Sequence, residues 1–145
     1  MSRLYKQGVD RDQESFLPTR VEDYVSPDNP VRAIDAYVRS LDLIDLGFAN
    51  SDNYSGVGQR AYSPTLLLGL YLWGYLNRIH SSRRLELECK RNLELIWLAE
   101  SLTPGYHTIA DFRKNNSVAL KKVNREFVAL CKSLDLFSCE LVAID

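Results

Sequence analysis

The sequence is poor in the residues that mark the common enzyme chemistries. Histidine occurs only at His80 and His107, and neither is spaced to join an acid and a nucleophile as a catalytic triad requires. Cysteine occurs at Cys89, Cys131 and Cys139, with no C-x-x-C pair and no histidine near any of them in sequence. That pattern excludes a disulfide framework and a zinc site of local ligands, and it points to a reducing, cytoplasmic setting. No apolar run reaches the roughly 20 residues that a bilayer demands. The most apolar one, residues 66–76, is followed at once by Asn77 and Arg78, so it reads as a buried core helix, and no membrane partner is expected. Basic residues at the N-terminus have no apolar stretch behind them, so no signal peptide is read there. There is no excess of one charge either: 18 basic and 19 acidic side chains leave a net charge of −1, unlike a histone-like binder.

What the chain does have is ordinary globular material. Its 145 residues, 46% apolar and 26% charged, suit one domain whose core needs no metal or disulfide. The near-zero net charge hides a gradient. Residues 1–50 carry 6 basic and 9 acidic side chains, whereas residues 76–125 carry 10 basic and 5 acidic. A polyanion contact therefore belongs to the second half.

The periodicity predicts an all-α bundle. Residues 1–25 show no period and read as an extended arm docked through Phe16, Leu17 and Tyr24. Asn29-Pro30 and Ser63-Pro64 are helix starts, a capping side chain followed by a proline preset for the first turn. They predict helices over 31–43 and from 64 to about 79, the second apolar nearly all round and hence central. Residues 47–62 read as a loop; its Gly56-x-Gly58 lacks the rest of a phosphate cradle. Residues 81–91 fit a strand or a helix, with helix preferred for the Leu85, Cys89, Leu93, Ile96 face and a Glu86–Lys90 pair. A short helix follows over 92–100. Another is capped by Thr108 with Asp111 reaching back to it, which turns Arg113 and Lys114 outward. Ser117 opens the last helix, with Leu120, Val123, Phe127, Leu130 and Leu134 on one side and Lys121, Arg125 and Lys132 on the other. Leu141-Val142-Ala143-Ile144 before Asp145 reads as a short C-terminal strand.

Three short helices in series with basic outward positions give a helix-turn-helix-like second half, although the connection around 101–107 exceeds the usual three or four residues. Carboxylate neighbours such as Glu86 and Glu88 read as surface charges rather than an acid/base couple.

Several ordered blocks carry a resemblance: Asn29-Pro30-Val31-Arg32-Ala33-Ile34-Asp35, Tyr75 through Glu86, Arg91 through Leu98, and Thr108-Ile109-Ala110-Asp111-Phe112-Arg113. Together they resemble the N-terminal domain of bacterial insertion-sequence DDE transposases of the InsH type, over nearly the whole chain from about residue 12. One departure is Gly105, where that family often has an acidic residue. The resemblance implies a helical domain over 26–137 that recognises terminal inverted repeats in double-stranded DNA. It also implies that residues 138–145 are the first strand of an RNase H-like catalytic domain. Asp145 would then be the first acid of the D-D-E set, a remnant that is inactive alone. Strand transfer needs magnesium held by several carboxylates, so the chain is expected to use no cofactor and catalyse nothing. The expected DNA contacts are Arg83, Arg84, Arg91, Arg113 and Lys114, with Lys121 and Arg125 on phosphates. The alternative is a dimerisation or interaction module that pairs with itself or inhibits full-length transposase.

Overall fold

The computed structural model describes residues 5–17, 19–48 and 62–134, and these residues are all-helical. A 3₁₀ turn, Val21–Tyr24, precedes six helices: α1 Pro30–Arg39, α2 Pro64–Leu76, α3 Ser82–Arg91, α4 Leu93–Leu98, α5 Tyr106–Asn115 and α6 Ser117–Ser133. The expected C-terminal strand, with Asp145, lies outside the described residues, as does Gly56-x-Gly58.

Both proline starts form as the sequence predicts. Asn29 Oδ1 accepts from the Val31 N–H at 2.9 Å, and Ser63 Oγ from the Thr65 N–H at 3.1 Å. Helix α2 sits in the middle. Leu67, Leu68, Leu70, Leu72 and Trp73 are all buried on it, which follows from apolar residues on every side. Helix α1 packs on α2 and α4, α4 also on α2, and α3 on both α4 and α5. Helix α6 continues from α5 and buries Leu120, Val123, Phe127 and Cys131, with Phe127 against Tyr37 of α1, ring centroids 5.4 Å apart. The other end of its predicted stripe is open, since Leu134 is exposed.

Several helix boundaries differ from expectation for identifiable reasons. Helix α1 ends at Arg39, where Ser40 caps it and the Ser40 hydroxyl donates to the Tyr37 carbonyl at 2.6 Å. Helix α2 stops at Leu76 because the next residues form a Schellman-type ending: Arg78 takes a left-handed φ of 58° and the Ile79 N–H donates to the Gly74 carbonyl at 2.7 Å. Gly74 is obligatory there, since a Cβ would run into the Ile79 carbonyl. Helix α4 ends the same way, with Glu100 at φ 52° and the Ser101 N–H on the Ile96 carbonyl. Neither ending carries the glycine that would advertise it.

Helix α5 begins at Tyr106, not after a Thr108 cap. Its N-cap, Gly105, has no side chain, and the Tyr106 N–H donates instead to Glu86 Oε1 of α3 at 3.2 Å. A distant carboxylate does the capping, and the expected Glu86–Lys90 pair is not among the salt bridges of the described residues. Residues 99–105 separate α4 from α5, longer than a helix-turn-helix connection. The N-terminal arm differs too: Phe16, Leu17 and Tyr24 are exposed, and Val25 is the residue that reaches the core.

Candidate nucleic-acid interface

The first cationic group forms where α3 starts. Ser81 Oγ accepts from the Arg84 N–H at 3.3 Å and so fixes the first turn, which holds Arg83 and Arg84 at the surface. Arg83 lies over the Tyr106 ring, its Cζ 4.1 Å from the centroid, so its flat cation is held against α5 with its rim open to solvent. Tyr106 also packs on His107, centroids 4.1 Å apart. The two histidines thus sit at helix boundaries, and the His80 backbone carbonyl takes part in packing.

That carbonyl accepts from Arg113 Nη1. Arg113 is therefore turned inward, contrary to the expectation that it projects beside Lys114. Helix α5 starts three residues earlier than expected, but spacing is what turns Arg113: it follows the buried Ile109 by four residues and shares that residue's face toward the body of the domain. Its Cζ stands 6.0 Å from the Tyr71 ring centroid of α2, and its Nε is buried without a hydrogen-bond partner. Burial lowers the Arg113 pKa, while Tyr71 acts in the opposite direction; burial likewise raises the Tyr71 pKa against the pull of Arg113. Lys114 remains exposed.

Beyond Tyr71 lies a groove of about 580 Å³ between α2 and α6. Tyr71 and Tyr75 come to it from α2, one helical turn apart. Lys121, Arg125, Val128 and Lys132 come from α6 at helical spacing, with Asn124 beside them. The Asn124 Oδ1 is buried and has no hydrogen-bond partner. No acidic residue lines this groove.

The structure thus groups Lys121 with Arg125, and Arg83 with Arg84, and leaves Lys114 exposed on α5. It sets Arg91 apart. Eight residues of helix, about 12 Å, separate Arg91 from Arg83, and its guanidinium is spent on Glu88, Nη2 to Oε1 2.6 Å and Nε to the same oxygen 2.9 Å. Arg91, with Asn92, keeps the Glu88 carboxyl below the usual range despite burial. Sequence reading missed Tyr71, Tyr75 and Asn124 as groove residues. Tyrosines on a helix apolar all round read as core, and only the four-residue spacing of the pair could have flagged them.

Cys89 and Cys131 are free and buried, and burial pushes each thiol up to about 11, so neither is a nucleophile at neutral pH. Among the described residues no group of three or more His, Cys, Asp or Glu is placed to hold a metal ion. No described helix is long and apolar enough to cross a membrane.

Fold and site together define a small helical domain with exposed cations on α3, α5 and α6 that form no salt bridge among the described residues, and with a tyrosine-lined groove between α2 and α6. Residues 19–115, about two thirds of the chain, match the family described as transposase domain (DUF772). The chain belongs to that transposase-domain family, as the resemblance to insertion-sequence transposases implied, and its role is related to transposition. No curated protein and no solved structure matches it.

Proposed function

We propose that this domain binds double-stranded DNA at the terminal inverted repeats of its own mobile element, as the end-recognition part of a transposase. The observation that carries the reading is that Arg83, Arg84, Lys114, Lys121 and Arg125 are exposed and form no salt bridge with any described carboxylate. Cations left unpaired by their own protein are available to phosphates, and each contact releases a counterion. On this reading Arg83 and Arg84 at the start of α3, with Lys114 on α5, supply the helix-turn-helix-like surface, and Lys121 and Arg125 hold the backbone. Arg113 positions α5 and the 77–81 connection rather than touching DNA, and Arg91 holds Glu88.

The test is a titration of labelled terminal-repeat duplex against a scrambled duplex of equal length at several salt concentrations. The repeat should bind on the order of 10³-fold tighter; equal affinity at every salt would remove specific recognition. On the same reading the domain holds DNA and does not cut it. Supercoiled plasmid incubated with the protein and Mg²⁺ should stay intact, and magnesium-dependent nicking would overturn that part.

A second reading, an interaction module that pairs with itself or with full-length transposase, is favoured by one feature. An apolar groove of about 550 Å³ between α1 and α6, lined by Tyr37, Leu41, Phe127, Leu130 and Leu134, has no partner among the described residues. Sedimentation separates the two readings: a dimer indifferent to DNA supports the module, and a monomer that gains mass only with the repeat supports the reader.

A further inference from the structure

We propose that the groove between α2 and α6 is a pocket for one unpaired nucleotide of DNA, with the base against Tyr71 and Tyr75 and its phosphate on Lys121, Arg125 and Lys132. The inference deepens the DNA-binding reading and rests on it.

Three observations point the same way. The groove is concave, and its volume of about 580 Å³ lies within the range of small-ligand sites. Its lining is divided by chemistry: Tyr71, Tyr75 and Val128 offer aromatic and apolar surface, and the three cations come from α6 with no acid among them. Aromatic faces beside a cationic edge are what single-stranded nucleic-acid sites use, because every base has a face to stack and every nucleotide a phosphate. In an intact duplex those faces are already stacked on one another, so only an unpaired base can occupy such a floor. Finally, the Asn124 amide lines the groove with its Oδ1 buried and unpartnered. A primary amide offers a donor and an acceptor to a base edge, which a bare phosphate would not use fully. Arg113 stands near Tyr71 on the side of α5 and anchors to the His80 carbonyl, which makes it a positioning residue for the tyrosine.

The experiment compares a fully paired terminal-repeat duplex with the same duplex carrying a three-nucleotide unpaired tail, by fluorescence anisotropy with the intact chain. The tail should tighten binding about tenfold, the scale of one or two stacked bases, and 2-aminopurine placed in the tail should change its fluorescence on binding. Ala129→Trp, on the exposed rim of the groove, should abolish the tail's advantage and keep binding of the paired duplex. A duplex that binds equally well with and without the tail overturns the pocket and leaves the DNA reading standing. Failure of both DNAs to bind overturns the reading itself. The comparison within the wild-type protein needs no variant, so a misfolded Ala129→Trp protein does not rescue the proposal, and an unchanged tail advantage in a folded one contradicts it.

Discussion

Two regions of this domain treat their arginines differently. Around the 3₁₀ turn and α1, the described arginines from Arg20 onward are neutralised from within: Arg20 by Asp23 at 3.0 Å, Arg32 by Glu22, and Arg39 by Asp35 at 3.0 Å and Glu100 at 3.2 Å. Arg32 does more. It donates to the carbonyls of Val25 at 2.7 Å and Ser26 at 2.9 Å and lies 5.0 Å from the Trp97 ring centroid, while Trp97 Nε1 donates to Glu22. On α3, α5 and α6, Arg83, Arg84, Lys114, Lys121 and Arg125 form no salt bridge among the described residues, whereas Arg91 does. In the first region Arg32 ties α1 to the turn before it, while the exposed pairs of Arg20 and Arg39 add little stability. A net charge near zero conceals the difference, because it lies in pairing and not in number.

Both regions share one core, and the comparison is sharpened first by testing that. Leu68 is fully buried on α2, so Leu68→Ala should cost about 3 kcal/mol and lower a single melting transition. Two separate transitions would split the domain into independent halves. Arg32→Ala should come next, at about 2 kcal/mol for losing charge-assisted bonds to partly buried carbonyls, with affinity for DNA unchanged in the folded protein. The reverse pattern is expected of Arg83→Glu with Arg84→Glu: repeat affinity falls at least about tenfold while the melting temperature stays within a degree or two. A loss of stability there instead of affinity would erase the contrast.

The smallest effect is acid sensitivity. Arg32 and Trp97 lower the Glu22 pKa, and Arg91 lowers that of Glu88. A carboxylate whose folded pKa is depressed contributes stability above its unfolded value, near 4.3, and that contribution is lost as pH falls through the lower folded value. Melting temperature should therefore drop as pH falls below about 4, and less steeply in Glu22→Gln. An identical slope in that variant would show that Glu22 pairing contributes nothing.

The helix starts were legible because their signals are local: Asn29-Pro30, Ser63-Pro64 and Asn92 each cap with their own side chain. The endings at Leu76 and Leu98 were not, because Arg78 and Glu100 adopt the left-handed conformation that glycine would have signalled. The start of α5 was misplaced for a related reason, since its capping group is Glu86, twenty residues away. Arg113, an expected surface contact, is instead a clamp on the His80 carbonyl because it lies four residues after the buried Ile109, on the same helical face. The exposed cations of α3 and α6 could be read from helical spacing. Their grouping with Tyr71 and Tyr75 could not, because it depends on how α6 lies against α2.

The most direct test of the proposed DNA contacts is the slope of log affinity against log salt for the repeat duplex, measured for the wild type, for Lys121→Gln with Arg125→Gln, and for Arg39→Gln. At about 0.9 per phosphate contact, the double variant should flatten the slope by about 1.8, and Arg39→Gln should leave it unchanged. Equal flattening by Arg39→Gln, or none by the double variant, would contradict the proposal that Lys121 and Arg125 contact DNA while Arg39 is neutralised within the domain.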